Sequence, residues 1–208
     1  NIANGSPASD TVPALVVLGA QAESAGPTGR RTVLVADLLV GPGRIALEEG
    51  ELIESILLSR PQSGMASSFL KLARVRADLA KVSVAVRLVR DGERVVSTRI
   101  ALGSVGPTIV RAKKASTMLV DLPFSKDVVL NAARMAGDEI KPIDDVRSTA
   151  EYRKKAAVAL VHDAVMLSWE RAAGDTSSAP RGAADKPSLQ GTGPLRLEAG
   201  RSTTITLT

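Results

Sequence analysis

Apolar and polar positions alternate most regularly between Val82 and Leu102. Val82, Val84, Val86 and Leu88 are separated by Ser83, Ala85 and Arg87, the two-residue period of a half-buried strand. Asp91-Gly92 then offers the residue types that a type I′ turn needs at its two central positions. Val96, Thr98, Ile100 and Leu102 resume the alternation on a return strand, and Phe69 to Val75 supplies a neighbour. The segment therefore predicts a three-stranded antiparallel meander.

Upstream, Asp10 is placed to cap a short helix through Leu18, with Pro13 in the first turn, where its missing N–H costs nothing. Gly29 leads into the β-prone run Thr32 to Val35, and Gly41, Pro42 and Gly43 mark a turn. "ELIESILLS" after Gly50 reads as a buried strand through Leu58, and helix breakers at Pro61 and Gly64 interrupt the chain. Downstream the period changes to that of helices. Ser125 caps a run to about Ala136, with Gly137 as its stop, and Ser148 and Glu151 have capping-box spacing. Behind that box Ala157, Leu160, Val161, Ala164 and Leu167 form one apolar face that ends near Gly174. The Gly-, Pro-, Ser- and Ala-rich stretch 174–194 reads as a linker, and Ile205 and Leu207 alternate with Thr204 and Thr206 as a closing strand. The pattern is α+β, in two subdomains divided near Arg60.

Composition narrows the chemistry. The 208 residues are 44% hydrophobic and 24% charged, as in ordinary globular chains. The only rings are Phe69, Phe124, Tyr152 and Trp169, so the core must be aliphatic. A net charge of +5 admits a nucleic-acid or other acidic partner, but the cations are spread, with short clusters only at Arg111, Lys113, Lys114 and at Arg153, Lys154, Lys155. Four rings leave little for bases to stack on. A solvated basic surface is the plainer reading, with a basic non-redox binding or scaffold module as the alternative.

The absence of Cys excludes thiolate ligation, disulfides and cysteine nucleophiles within these residues, and the single His162 excludes a His-rich metal site. The apolar run Val12 to Ala20 is about half of a membrane span. Nothing resembles a signal peptide, so a cytoplasmic location is expected. Glu48-Glu49 and Asp144-Asp145 read as solvated carboxylates, and there is neither a Walker loop nor a complete Gly-x-Gly-x-x-Gly. No catalytic acid, base or nucleophile is assigned.

Three ordered blocks nevertheless resemble one family. "NIANGSPASDTVPAL" is similar to the second flavin loop of the FAD-binding subunits of molybdenum hydroxylases of the xanthine, carbon monoxide, aldehyde and nicotinate dehydrogenase type. "RIALGSVGPTIVRA" and "IKPIDDVRSTAEYRKKAAVAL" resemble a strand-turn and the last loop and helix of the C-terminal domain of those flavoproteins. The resemblance covers roughly residues 1–172. It implies the second half of a PCMH-type FAD-binding domain in 1–60, then a CO dehydrogenase flavoprotein C-terminal-like domain in 61–173, an antiparallel sheet with C-terminal helices. "LRLEAGRSTTITLT" is similar to the opening strand of a plant-type ferredoxin, which implies that 195–208 begins a 2Fe-2S domain.

The same resemblance implies FAD as the cofactor, with Asn1, Ala3, Ser6 and Asp10 of the first loop near it. Leu52 and Ile53 would pack against the flavin, and Lys71 would reach toward the isoalloxazine, unless Leu70 occupies that place. For Asp10 a plain helix cap, and for Leu52 and Ile53 an ordinary strand, are the competing readings. Asp78 is expected to fix a loop, while Arg111, Arg147, Tyr152 and Arg153 pin the last helix to the sheet. The family's Gly-rich pyrophosphate loop does not occur in these residues, so weak FAD binding or none is expected of this chain alone. A fold that has kept only an assembly interface is a further alternative. Molybdopterin and 2Fe-2S clusters are expected on partner subunits or domains, the implied role being electron transfer to an external acceptor.

Overall fold

In a computed structural model, residues 1–75 and 77–174 are described, together with the backbone of residues 203–206. The expected linker beyond residue 174, and most of 195–208, lie outside the described residues.

The first loop runs into helix α1 (Val12–Leu18), which Gly19 ends in the left-handed region at φ 69°. Asp10 does not cap this helix. Thr11 stands at the N-cap and makes no side-chain cap bond. Strands β1 (Gln21–Gly26) and β2 (Gly29–Leu34) then form a hairpin. Of this hairpin the hydropathy pattern signals only the second half of β2, because β1 carries Gln21, Glu23 and Ser24. Val35, expected to end a strand, starts the one-turn helix α2 (Val35–Leu38). The turn at Gly41–Gly43 joins the short strands β3 (Leu39–Gly41) and β4 (Arg44–Ile45). The buried-looking run after Gly50 becomes β5 (Leu52–Leu58), which pairs antiparallel with β1.

The second sheet is a four-stranded antiparallel meander, β6 (Met65–Leu72), β7 (Val82–Asp91), β8 (Arg94–Gly103) and β9 (Val110–Arg111), in that spatial order. It exceeds the expected meander by β9, and its first strand begins four residues before Phe69. The two-residue connection between β7 and β8 is Gly92-Glu93 rather than Asp91-Gly92, since Asp91 pairs with Arg94. Only Gly92 has positive φ there, at 54°, and a register shift at Val89/Arg90 absorbs the difference.

Helices α3 (Lys113–Met118), α4 (Lys126–Asp138) and α5 (Ala150–Ala172) follow. Ser125 caps α4 as expected, accepting from the Val128 amide at 3.2 Å. Gly137 is not its stop but lies inside the helix, where an added Cβ would sit 2.8 Å from Val158 Cγ2. The glycine is there for close packing of α4 on α5. The α5 cap is Thr149, which accepts from Tyr152 N at 3.2 Å, so the expected Ser148 box is displaced by one residue.

The strand expected to be half-buried is buried on both faces. Val82, Val84, Val86 and Leu88 pack against α4 and α5, while Ala85 and Ala101 face α1 and the first half of the chain. Each valine side chain withdrawn in this way contributes about 1.5–3 kcal/mol. Alanine on the second face is small enough for α1 to lie close. Two of the four rings close the far end: Phe124 stacks on Trp169 at 3.9 Å, and the Arg90 guanidinium lies 3.8 Å from the Trp169 centroid. The backbone of β10 (Thr203–Thr206) pairs antiparallel with β5, so the closing strand has a partner in the first sheet.

Candidate functional site

The loop of residues 1–11 is a small-residue coil built on internal bonds. Asn1 Oδ1 accepts from Ser9 Oγ at 2.7 Å, Thr11 Oγ1 at 3.2 Å and Thr11 N at 3.3 Å, tying its two ends together. Ser6 Oγ accepts from Ala8 N at 3.2 Å, and Gly5 N donates to Ile2 O at 2.9 Å. Gly5 is the pivot. Its φ is +55°, and a Cβ would lie 2.8 Å from Arg44 N, so no larger residue fits without moving β4. Gly43 N donates to Gly5 O at 3.0 Å, completing the seam. The amides of exposed Ala3 and Asn4 and of half-buried Ser6 have no acceptor among the described residues.

Asp10 and Lys71, 61 positions apart, meet as an ion pair of 2.7 Å between Oδ2 and Nζ. The Lys71 side chain is 14% exposed and that of Asp10 48% exposed. Lys71 Nζ also donates to the Asp78 carbonyl at 2.9 Å. Leu70, its rival for this position, packs instead against the helix-side core, as the alternation of β6 requires. Asp78 fixes its loop as expected: Oδ2 accepts from Arg74 Nε at 2.8 Å and Oδ1 from Leu79 N at 2.9 Å. The Arg74 hydrogen bond, followed by that from the Leu79 amide, lowers the Asp78 pKa against a smaller burial penalty.

Leu52 and Ile53 point to opposite faces of β5, as neighbours on a strand do. Ile53 packs in the apolar cluster with Ile2 and Ile56, whereas Leu52 is 72% exposed. Nearby, Arg31 clasps Glu51 with two bonds of 2.6 Å. That guanidinium, with Ser24 Oγ and the Glu48 amide, lowers the Glu51 pKa from 4.5 to about 2.

A third group was not legible as part of the site. Arg153, 2% exposed, donates from Nη1 to Ser104 O at 2.7 Å and from Nη2 to Asp145 Oδ1 at 2.6 Å. Ser104 N in turn donates to Pro7 O at 2.8 Å. This chain of bonds joins helix α5 to the first loop through Ser104, a non-glycine residue at φ 64°. Burial opposes the Asp145 charge, yet bonds from the Arg147 amide, Arg153, the Arg147 side chain and the Ser148 amide hold its pKa well below the usual carboxylate range. Ser104 Oγ, Arg147 Nη1 and Arg153 Nε are buried without a partner among the described residues. Their residues line a cavity of about 440 Å³ with Ser6, Pro7 and Ala8. Nothing in a single sequence signals positive φ at Ser104.

Of the other residues expected to pin α5, Arg147 bonds to Asp145, and Tyr152 is exposed beneath the Lys81 ammonium at 5.5 Å. Arg111 does not pin the helix. It lies exposed on β9, and lines a different cavity. His162 is a partly exposed helix residue bonded to Asp163 at 2.9 Å. Among the described residues no group of three or more His, Asp or Glu is arranged to hold a metal, and no helix is long and apolar enough to cross a membrane.

Residues 1–61 match the family described as the FAD binding domain in molybdopterin dehydrogenase, and residues 67–167 match the CO dehydrogenase flavoprotein C-terminal domain. The chain belongs to the FAD-binding medium-subunit family of the molybdenum hydroxylases. Its fold is accordingly an α+β portion of the FAD-binding domain followed by the flavoprotein C-terminal domain. The carbon monoxide dehydrogenase medium chain of Afipia carboxidovorans is 34% identical over 172 residues, which are 83% of this chain and 60% of that one. The carbon monoxide dehydrogenase structure from Hydrogenophaga pseudoflava that lacks the Mo-pyranopterin moiety superposes with a TM-score of 0.80 at 33% identity, covering 82% of this chain and 59% of that one. Quinoline 2-oxidoreductase from Pseudomonas putida 86 gives a TM-score of 0.76 at 26% identity, covering 84% and 59%. The chain thus spans about 60% of the length of the curated relatives it matches.

Proposed function

We propose that the loop of residues 1–10, together with Lys71, forms one wall of an FAD site in the flavoprotein subunit of a molybdenum hydroxylase. The observation that carries this reading is the meeting of Asp10 and Lys71 at 2.7 Å beside a loop with open amides.

The donor set fits a dinucleotide. Open amides at Ala3, Asn4 and Ser6 suit phosphate or ribityl oxygens, and Asn1 holds the loop in shape through Ser9 and Thr11. An ammonium has three donors. Lys71 commits one to Asp10 and one to the Asp78 carbonyl, which leaves one, in a fixed direction, for a polar atom of the cofactor. The exposed Leu52 offers the apolar surface that a flat ring system covers. Ile53, turned into the core, supports the strand instead. When bound, FAD supplies the redox chemistry, taking electrons from 2Fe-2S clusters and passing them to an external acceptor. The side chains bind, orient and polarise; none is needed as an acid or base on the oxidised substrate. A molybdopterin-bearing subunit and a 2Fe-2S subunit or fused domain are the partners in this scheme, and the rest of the flavin site lies outside these residues.

The test uses the intact flavoprotein subunit. Lys71→Met should weaken FAD about tenfold, the worth of one charge-assisted hydrogen bond of about 1.5 kcal/mol, and should shift the flavin absorption bands. Lys155→Met, which removes an exposed pair on α5, should change neither. Wild-type affinity and an unshifted spectrum in Lys71→Met would refute the assignment.

A further inference from the structure

A second concavity, of about 520 Å³, lies at the other end of α1. None of its lining residues belongs to the candidate flavin wall. Its floor is apolar, made by Val16, Val17, Ala20, Leu34 and Ile100. Its rim is cationic: Arg99, Arg111 and Lys113 contribute, and among the described residues no carboxylate lines it. Among the described residues neither Arg111 nor Lys113 has an ion-pair partner. Arg99 reaches only the Val17 carbonyl, at 3.5 Å.

The strand register explains why charge collects here. Arg87 lies directly opposite Arg99, and Arg111 opposite Ala101, so the three arginines share the sheet face that α1 covers further along. Like charges set opposite one another destabilise a sheet. Burial, then the Arg99 charge, depresses the Arg87 pKa. Among the described residues Arg87 meets only Met65 Sδ and Ser97 Oγ, with no carboxylate to relieve it.

The edge of β8 supplies neutral donors to the same space. β9 pairs only with Ala101 and Leu102, which leaves the edge unpaired from Ile100 back to Thr98. Ile100 turns its amide outward to Ser116 Oγ at 3.1 Å and its carbonyl outward to Ala112 N at 3.0 Å. By the two-residue alternation, the Thr98 amide faces the same way. The Thr98 side chain, directly opposite Leu88, turns to the helix-side core and away from the arginine face, so only its amide faces this space. An unpaired edge amide beside a row of cations is a place for an anionic acceptor.

We propose that this cavity binds a small aromatic carboxylate: the carboxylate sits on the Thr98 edge and the Arg99–Arg111–Lys113 rim, and the ring lies on the Val16–Val17–Leu34 floor. The volume suits one or two fused rings. The site is independent of the flavin reading and shares no residue with it.

Titration calorimetry of the intact flavoprotein subunit with 2-naphthoate and with neutral 2-naphthamide tests the proposal. Naphthoate should bind at least about tenfold more tightly than the amide, since one charge-assisted hydrogen bond to a carboxylate is worth that factor. Arg111→Gln should reduce naphthoate binding severalfold and leave naphthamide unchanged; Arg111 is exposed, so folding is not at stake. Lys113→Gln, at a second exposed rim residue, should do the same, with circular dichroism confirming the fold. Saturating FAD should not displace naphthoate. Equal binding of the two ligands, insensitivity to both substitutions, or displacement by FAD would each overturn the proposal. Loss of naphthoate binding on assembly with the partner subunits would also overturn it, marking the cavity as a protein interface.

Discussion

Arg153→Met isolates the seam between the two halves. The arginine is 2% exposed, and its two guanidinium bonds are 2.7 Å to Ser104 O and 2.6 Å to Asp145 Oδ1. Methionine keeps most of the aliphatic stem, so packing changes little and the polar loss dominates. Two charge-assisted bonds are worth about 1.5–3 kcal/mol each, and truncating one partner of a buried pair costs about 3–5 kcal/mol. Two features place this case at the low end. Asp145 keeps its bonds to Arg147 and the Ser148 amide, and the unpaired Arg153 Nε disappears with the substitution. A loss of about 3 kcal/mol is expected, or about 6–12 °C in Tm for a domain of this size. Urea and thermal melts followed by circular dichroism measure it. Hydrogen exchange adds a specific signature: the Ser104 amide, bonded to Pro7 O, should exchange faster well below the melting transition. A loss under about 1 kcal/mol, with Ser104 exchange unchanged, would refute the idea that Arg153 clamps the first loop.

Three other expectations follow from the same geometry. Glu51 has its folded pKa depressed from 4.5 to about 2, by the Arg31 bonds first; the stabilisation is therefore complete above 4.5 and lost as pH falls toward 2. Acid unfolding of Glu51→Gln should show a shallower pH dependence in that window, and an unchanged profile contradicts the assignment. Thr149→Ala should cost about 1 kcal/mol by loss of the α5 cap and Ser148→Ala less than about 0.5 kcal/mol; the reverse order in urea melts would restore the Ser148 capping box. Gly137→Ala should destabilise by about 1–3 kcal/mol through overpacking, since its Cβ would lie 2.8 Å from Val158 Cγ2; a stabilised variant would show that α4 and α5 yield there.

Local periodicity carried much of the fold. Val82 to Leu102 could be read as a hairpin because its alternation is set by residues two apart, and Ser125 as a cap because its partner Val128 is three residues on. Features that depend on distant partners were hidden. Asp10 has the residue type of a helix cap, but its partner Lys71 is far along the chain. Gly137 has the residue type of a helix stop, and only the nearness of Val158 shows that it serves packing. Ala85 fell on the less apolar face of the alternation, and only the packing of α1 shows that face to be covered too. The candidate site divides in the same way. Its loop carries the family resemblance, and Lys71 was a candidate with Leu70 as its rival, a choice that only the facing of β6 distinguishes. Of the Arg153–Ser104–Pro7 relay only the arginine was legible, as a pin for the last helix; its acceptor on Ser104 and the bond onward to Pro7 are backbone groups that any sequence carries.

Hydrogen–deuterium exchange of the intact flavoprotein subunit, flavin-loaded against flavin-stripped, tests the flavin wall most directly. Amides 3–6 and the segment around Lys71 and Asp78 should gain protection on loading, while helix α5 beyond Ala157 stays unchanged. Flavin bound with no added protection at residues 3–6 and 71–78 would contradict it.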